Sequence, residues 1–218
     1  MFLSILKTQW AWSRLVVALG VVLAFLLPLQ TVQQAGLLGA REWEITALLD
    51  TVESWSVWYA ALAAGVGLLV ATSCWAPDHR GRHVYALSLP IPRWHYVLLR
   101  FAAGAVLLVA PVAALWIGAV LATATAHIPE SLRAYPHVLM LRFALATFVA
   151  YGLFFAISSG TTRTAAYILL AIGGLFAVQL LLSASGSQSQ LAASLWDRLV
   201  SWPGPLQVFT GRWMLIDV

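Results

Sequence analysis

Residues 76–95 read APDHRGRHVYALSLPIPRWH, and this polar stretch stands between two long apolar runs, 55–75 and 101–121. It carries Arg80, Arg82 and Arg93, three of the chain's 12 lysines and arginines, with His79, His83 and His95 from a total of five histidines. An apolar run needs about 20 residues to cross roughly 30 Å of hydrocarbon as a helix, and both flanking runs are long enough. The stretch therefore reads as a bridge at a membrane surface, joining two transmembrane helices. Working outward from it, the rest of the chain is almost entirely hydrocarbon-compatible.

Composition supports this reading. The 218 residues are 61% hydrophobic and only 9% charged, whereas a soluble globular domain is about 25% charged. At about 20 to 25 residues per span plus loops, five or six spans fit. The net charge of +4 does not argue for nucleic acid, because the basic residues gather in the segments expected on the cytoplasmic side. Cys74 is the sole cysteine, which excludes an intrachain disulfide and a cysteine-based zinc site.

The N-terminal residues 1–14, MFLSILKTQWAWSR, mix Phe2, Leu3, Ile5 and Leu6 with Lys7, Trp10, Trp12 and Arg14. That pattern suits an interfacial helix with aromatic rings at headgroup level and cations in water. The first span is expected at 15–32, with Pro28 in its last turns. It ends without a small-x-small cleavage site and is read as a retained span, not a signal peptide. An acidic outer loop follows, in which ITALLDTVESW (45–55) has the makings of a short amphipathic helix. The second span is 55–75, bracketed by tryptophans and rich in alanine and glycine that permit close helix approach. The third is 101–121, with Pro111 near its middle as a bend. Spans four and five are expected at 138–157 and 165–182, joined by a Ser/Thr turn. Beyond them, 190–218 reads as an outer amphipathic or re-entrant segment, with Leu191, Leu195, Leu199 and Trp202 on one helical stripe and Pro203-Gly204-Pro205 ending it. The fold class is all-α integral membrane: a polytopic bundle of five spans, six in a complete chain, with an N-terminal interfacial helix.

Orientation follows from counting charges. The expected inner segments hold Lys7, Arg14, Arg80, Arg82, Arg93, Arg100 and Arg163 against Asp78 alone. The other side holds Arg41, Arg133, Arg142, Arg198 and Arg212 against the remaining seven acids. The N-terminus is therefore expected in the cytoplasm.

Absent motifs narrow the function. The chain has no G-x-x-x-x-G-K-[ST], and Lys7 is its only lysine, so it cannot supply a standard P-loop. H-E-x-x-H does not occur, no acid sits at mid-membrane, and the histidines lie in loops or at span ends. A carboxylate relay of the proton-coupled kind is thus weakly supported, and no nucleophile has a visible base. Arg142 is read as the one charge inside a span, about one turn from its outer end, suited to snorkelling, to pairing with Glu130 or Asp197, or to lining a path for an anionic cargo. Gln179 in the fifth span reads as an interhelical hydrogen-bonding group.

Within the bridge, a charged Gly-containing loop precedes Leu-Ser-Leu-Pro-Ile-Pro-Arg, and Arg100 follows Arg93 by seven positions. This pattern resembles exporter-type ABC transporter permeases of the second ABC permease family. The resemblance takes in the N-terminal interfacial helix, the polar loop between spans two and three, the Ser/Thr turn and the segment after span five. It implies that the bridge is a coupling helix resting on a separate ATP-binding subunit, with Asp78, Arg80, Arg82 and Arg93 as contact residues. It also implies a homo- or heterodimer of permease chains in a bacterial inner membrane. ATP and magnesium would sit on the partner, and this chain would be non-catalytic, with no cofactor of its own and no nucleic acid. The family normally has six spans, and this chain stops where a sixth would begin. That departure, with 11 tryptophans, keeps a second expectation open: an accessory or assembly subunit of a larger photosynthetic or respiratory complex, contacting pigments or lipid.

Overall fold

The computed structural model describes residues 1–38, 45–80, 92–128 and 132–160, and positions 167, 170, 174, 177–178, 194, 198–199, 201, 204, 206–210 and 213–217. For 45–47 and 77–80 it describes the backbone only. The chain divides into two compact units, Met1–Phe155 with Arg212–Val218, and Ala156–Gly211.

The first unit is helical. Its elements are α1 (Phe2–Gln34), α2 (Ile45–Ser54), α3 (Ser56–Arg80), α4 (Arg93–Thr125), a two-residue strand β1 (Arg133–Ala134), α5 (Pro136–Ser159, whose last turn belongs to the second unit) and β2 (Ile216–Asp217). Four stretches are long and apolar enough to cross a membrane: Phe2–Gln34, Leu48–Ala76, Arg93–Thr125 and Pro136–Ser159. This is the architecture that an all-α membrane bundle requires. The short helix expected at 45–55 is α2, with Leu48 and Val52 buried on one stripe while Asp50 and Glu53 stay exposed or half-exposed.

One boundary differs from expectation. Residues 2–34 form a single α-helix, with no break between the expected interfacial piece and the first span. Two local causes are visible. Ser4, Thr8 and Ser13 return their hydroxyls to carbonyls of the preceding turn, which spares those groups a search for water. Gln9 and Ser13 are buried against the bundle instead of facing solvent. At 1.5 Å per residue the 33-residue helix is about 50 Å long, more than the hydrocarbon needs.

The end of α1 is sharply defined. Gly36 takes φ 69°, a left-handed conformation that costs glycine nothing. The Gly36 N–H donates to Gln33 and the Leu37 N–H to Val32, a Schellman pattern that satisfies two otherwise orphaned carbonyls. Leu37 is fully buried behind it.

The most extensive packing is between α1 and α4. Gln9 lies beside Arg100, Gly20 faces Pro111, and the Phe25 carbonyl lies against Gly118. These contacts keep a nearly constant offset, about 91 to 93 positions, so the two helices run parallel. With little hydrophobic drive between helices in lipid, such close fit and buried polar contacts supply the association. Helix α3 runs antiparallel beside them, with Val66 close to Gly20. On α4 the exposed Trp94 and Trp116 are 22 positions apart, about 33 Å of helix, which matches two membrane interfaces.

β1 and β2 pair antiparallel, Arg133 with Asp217 and Ala134 with Ile216. In the second unit, positions Tyr167, Leu170, Gly174, Ala177 and Val178 are helical and exposed. Most of the expected fifth span, 165–182, lies outside the described residues. Ser194, Arg198 and Leu199 are helical, and Gln207–Phe209 forms a 3-10 turn.

Candidate functional site

Two polar clusters are built into the ends of the first unit. The first surrounds Arg100, where α1 and α4 begin and α3 ends. Arg100 is only 4% exposed. Its guanidinium lies 5.2 Å from the ring centre of Trp75 on α3 and 5.1 Å from that of Tyr96, one turn earlier on α4. The Gln9 side-chain amide donates to the Arg100 carbonyl at 3.0 Å and so brings α1 into the cluster. Trp75 also packs on Phe155 of α5, with ring centres 5.1 Å apart. All four long helices of the unit therefore meet around one buried cation.

The energies nearly cancel. An arginine in a membrane helix costs roughly 3 kcal/mol, and two desolvated cation–π contacts return about 2 kcal/mol each. The cluster holds together without a large surplus. Its buried polar atoms include Gln9 Oε1 and Trp75 Nε1, which have no hydrogen-bond partner among the described residues, and each such atom costs about 1 to 3 kcal/mol.

One turn deeper, the Tyr151 hydroxyl donates to the Phe101 carbonyl at 3.0 Å and lies 3.8 Å from Cys74 Sγ. Position 104 has to be glycine for this contact, because a Cβ there would run into Tyr151 Oη. Thus α3, α4 and α5 are tied at Cys74, Phe101 and Tyr151.

The second cluster closes the opposite end. Trp213, 1% exposed, stacks parallel to Tyr59 with ring centres 6.5 Å apart. Tyr59 Oη shares a 2.9 Å hydrogen bond with Thr31 Oγ1, and the Trp213 backbone N–H donates to Ser56 Oγ at 3.3 Å. The Arg142 guanidinium sits 5.1 Å from the Trp213 ring centre. Nearby, Trp116 Nε1 donates to His137 Nδ1 at 3.0 Å.

No protein family, curated protein or solved structure matches this chain. The functional reading therefore rests on the residues themselves.

Of the bridge residues singled out in the sequence, Arg93 is the exposed first residue of α4. Asp78 and Arg80 fall in the last turn of α3, where only the backbone is described, and Arg82 lies outside the described residues. Helices α3 and α4, which flank the bridge, pack on one another. Arg142 is placed against an aromatic face; Glu130, Asp197 and Gln179 lie outside the described residues.

Arg100 corrects one expectation. It was counted with the aqueous basic residues, and it is buried inside the bundle, because Trp75 and Tyr96 shelter its charge. Gln9, Trp75, Tyr151 and Trp213 were not anticipated as site residues. Only the Tyr96–Arg100 spacing of four gave a local signal. Among the described residues, no group of three or more His, Cys, Asp or Glu could hold a metal ion. What the Arg100 cluster offers is mechanical: it couples the two bridge-bearing helices to α1 and α5.

Proposed function

We propose that this chain is the membrane-spanning permease subunit of an ATP-driven exporter, with ATP hydrolysed by a separate subunit. The observation that supports the reading is the Arg100 clamp. Force applied to the bridge between α3 and α4 would reach Trp75 and Tyr96 within a few turns, and through Gln9 and Phe155 it would reach the remaining two long helices. A nucleotide-driven partner then needs only to favour one of two packings of that clamp.

In this reading the chain has five spans, the Arg100 end and the N-terminus face the cytoplasm, the start of α1 lies at headgroup depth, and two permease chains form the path. The charges agree in sense. Among the described side chains of the first unit, Lys7, Arg14, Arg93 and Arg100 lie toward that end with no acid, while at the other Arg133 and Arg142 are outnumbered by Asp50, Glu53 and Asp217. Such an excess is that of a cytoplasmic face.

The test is purification of the full chain from its native membrane in mild detergent. The expected result is a stoichiometric P-loop ATPase, lost when Arg80, Arg82 and Arg93 are all replaced by Glu. Recovery of pigment-bearing or redox subunits in its place would overturn the exporter reading in favour of an accessory subunit.

A further inference from the structure

We propose that a groove between α1 and α4 at the Arg100 end binds an anionic phospholipid, taking one acyl chain along its length and the phosphate at Lys7. The groove holds about 260 Å³ and is lined by Leu6, Lys7, Trp10, Val106 and Leu107. It rests on the chain's crossing a bilayer, and not on the export reading.

Register sets the direction of the ligand. Gln9 lies beside Arg100, an offset of 91 positions, so Lys7 is level with Leu98 and Val106 lies about 12 Å further along α4. The groove thus runs from the aliphatic stem of Lys7, near the end of the bundle, to apolar side chains nearer its middle. That is the polarity of a phospholipid standing in its leaflet, headgroup outward. Trp10, half-exposed, lies between the two ends, where an indole suits the glycerol region. An apolar solute would leave the ammonium unused, and a soluble anion would leave the apolar wall unused. The phospholipid uses both.

Charge points to an anionic headgroup. Lys7 is exposed and has no carboxylate within ion-pair distance among the described residues. Every acid whose side chain is described belongs to α2 or β2, at the opposite end of the bundle. Arg93, exposed at the start of α4, adds positive potential at the same end. A cation at a membrane surface gives about a fivefold preference for an anionic lipid over a zwitterionic one.

The test is native mass spectrometry of the full chain in mild detergent, titrated with equal amounts of dioleoyl phosphatidylglycerol and dioleoyl phosphatidylcholine. The expected result is an adduct favouring phosphatidylglycerol about fivefold, with the preference lost in Lys7→Gln and kept in Lys7→Arg. Val106→Trp, which fills the deep end, should reduce both adducts. Both positions are exposed, so the variants should keep the wild-type unfolding midpoint. Equal adducts of the two lipids in the wild type, or an undiminished preference in Lys7→Gln, would overturn the proposal. So would a chain dimer that excludes lipid from the groove until Val106→Trp disrupts it.

Discussion

The two ends of the helical unit solve the same problem, closing a bundle around polar groups, by different means. At the Trp213 end the closure comes mostly from neutral contacts: a Tyr59–Trp213 stack, a Thr31–Tyr59 hydrogen bond, a Ser56 contact to the Trp213 backbone, and a strand pair that holds residues 216–217 on 133–134. The cation there, Arg142, is only half-buried on the Trp213 ring, and the Trp213 indole N–H has no hydrogen-bond partner among the described residues. At the Arg100 end a charge is buried between two rings, next to an amide oxygen and an indole N–H that lack partners among the described residues. The first arrangement is a cap whose loss leaves a hole. The second is a junction in which the burial cost of a charge and its cation–π gain nearly cancel. The difference lies in how each end holds its charge: half-buried on one ring at the Trp213 end, buried between two rings at the Arg100 end.

The comparison can be broken most directly at the cap. Trp213→Ala should cost about 3 to 5 kcal/mol, read as a lowered midpoint in a denaturing-detergent titration of the purified chain. A loss under 1 kcal/mol would mean that residues 213–217 are not an anchor. At the other end, Gly104→Ala places a methyl group against the Tyr151 hydroxyl. A cost of about 1 to 3 kcal/mol is expected, part of which Tyr151→Phe should restore in a double-mutant cycle. Additive effects would deny the contact.

Arg100→Met sharpens the contrast. Because the cation–π gain and the burial cost nearly cancel, stability should stay within about 1 kcal/mol of wild type, while any partner-driven activity falls. A penalty as large as that of Trp213→Ala would make Arg100 a second anchor. The smallest effect belongs to Thr31→Val, which removes one hydrogen bond to Tyr59 at a cost of about 0.6 kcal/mol within a membrane bundle. The same midpoint measurement would resolve it across replicate titrations.

The spans were legible because the signal is local and strong. The expected 15–32, 101–121 and 138–157 fall within single helices, as does 55–75 apart from Trp55, the turn residue before α3. Their ends were not, because a hydropathy reading stops at the first charge, while a helix continues wherever its polar side chains are satisfied. α1 begins at Phe2 and α4 at Arg93, ahead of their apolar runs at 15 and 101, and Gln9 and Arg100 are buried within these leading turns. Trp213 gave no local sign of burial: its partners are Tyr59 and Ser56, more than 150 positions earlier. The Trp75–Arg100 contact was hidden for the same reason, since no periodicity relates residues on opposite sides of the bridge. The bridge itself, read as the organising stretch, is flanked by helices that meet, which is as far as the described residues carry it.

The parallel register of α1 with α4 has a consequence for biogenesis. Two neighbours separated by 91 positions cannot meet until α3 has crossed back and α4 has emerged. At about 5 to 20 residues per second of synthesis, α1 waits roughly 5 to 20 seconds alone in the membrane. Throughout that interval the Gln9 amide lacks its mate, so a nascent chain stalled before residue 100 should present it to whatever insertion machinery is at hand. Site-specific photocrosslinking from position 9 in stalled chains of increasing length would time the handover, and crosslinks to the machinery that persist unchanged in chains long enough to have inserted α4 would rule the scheme out.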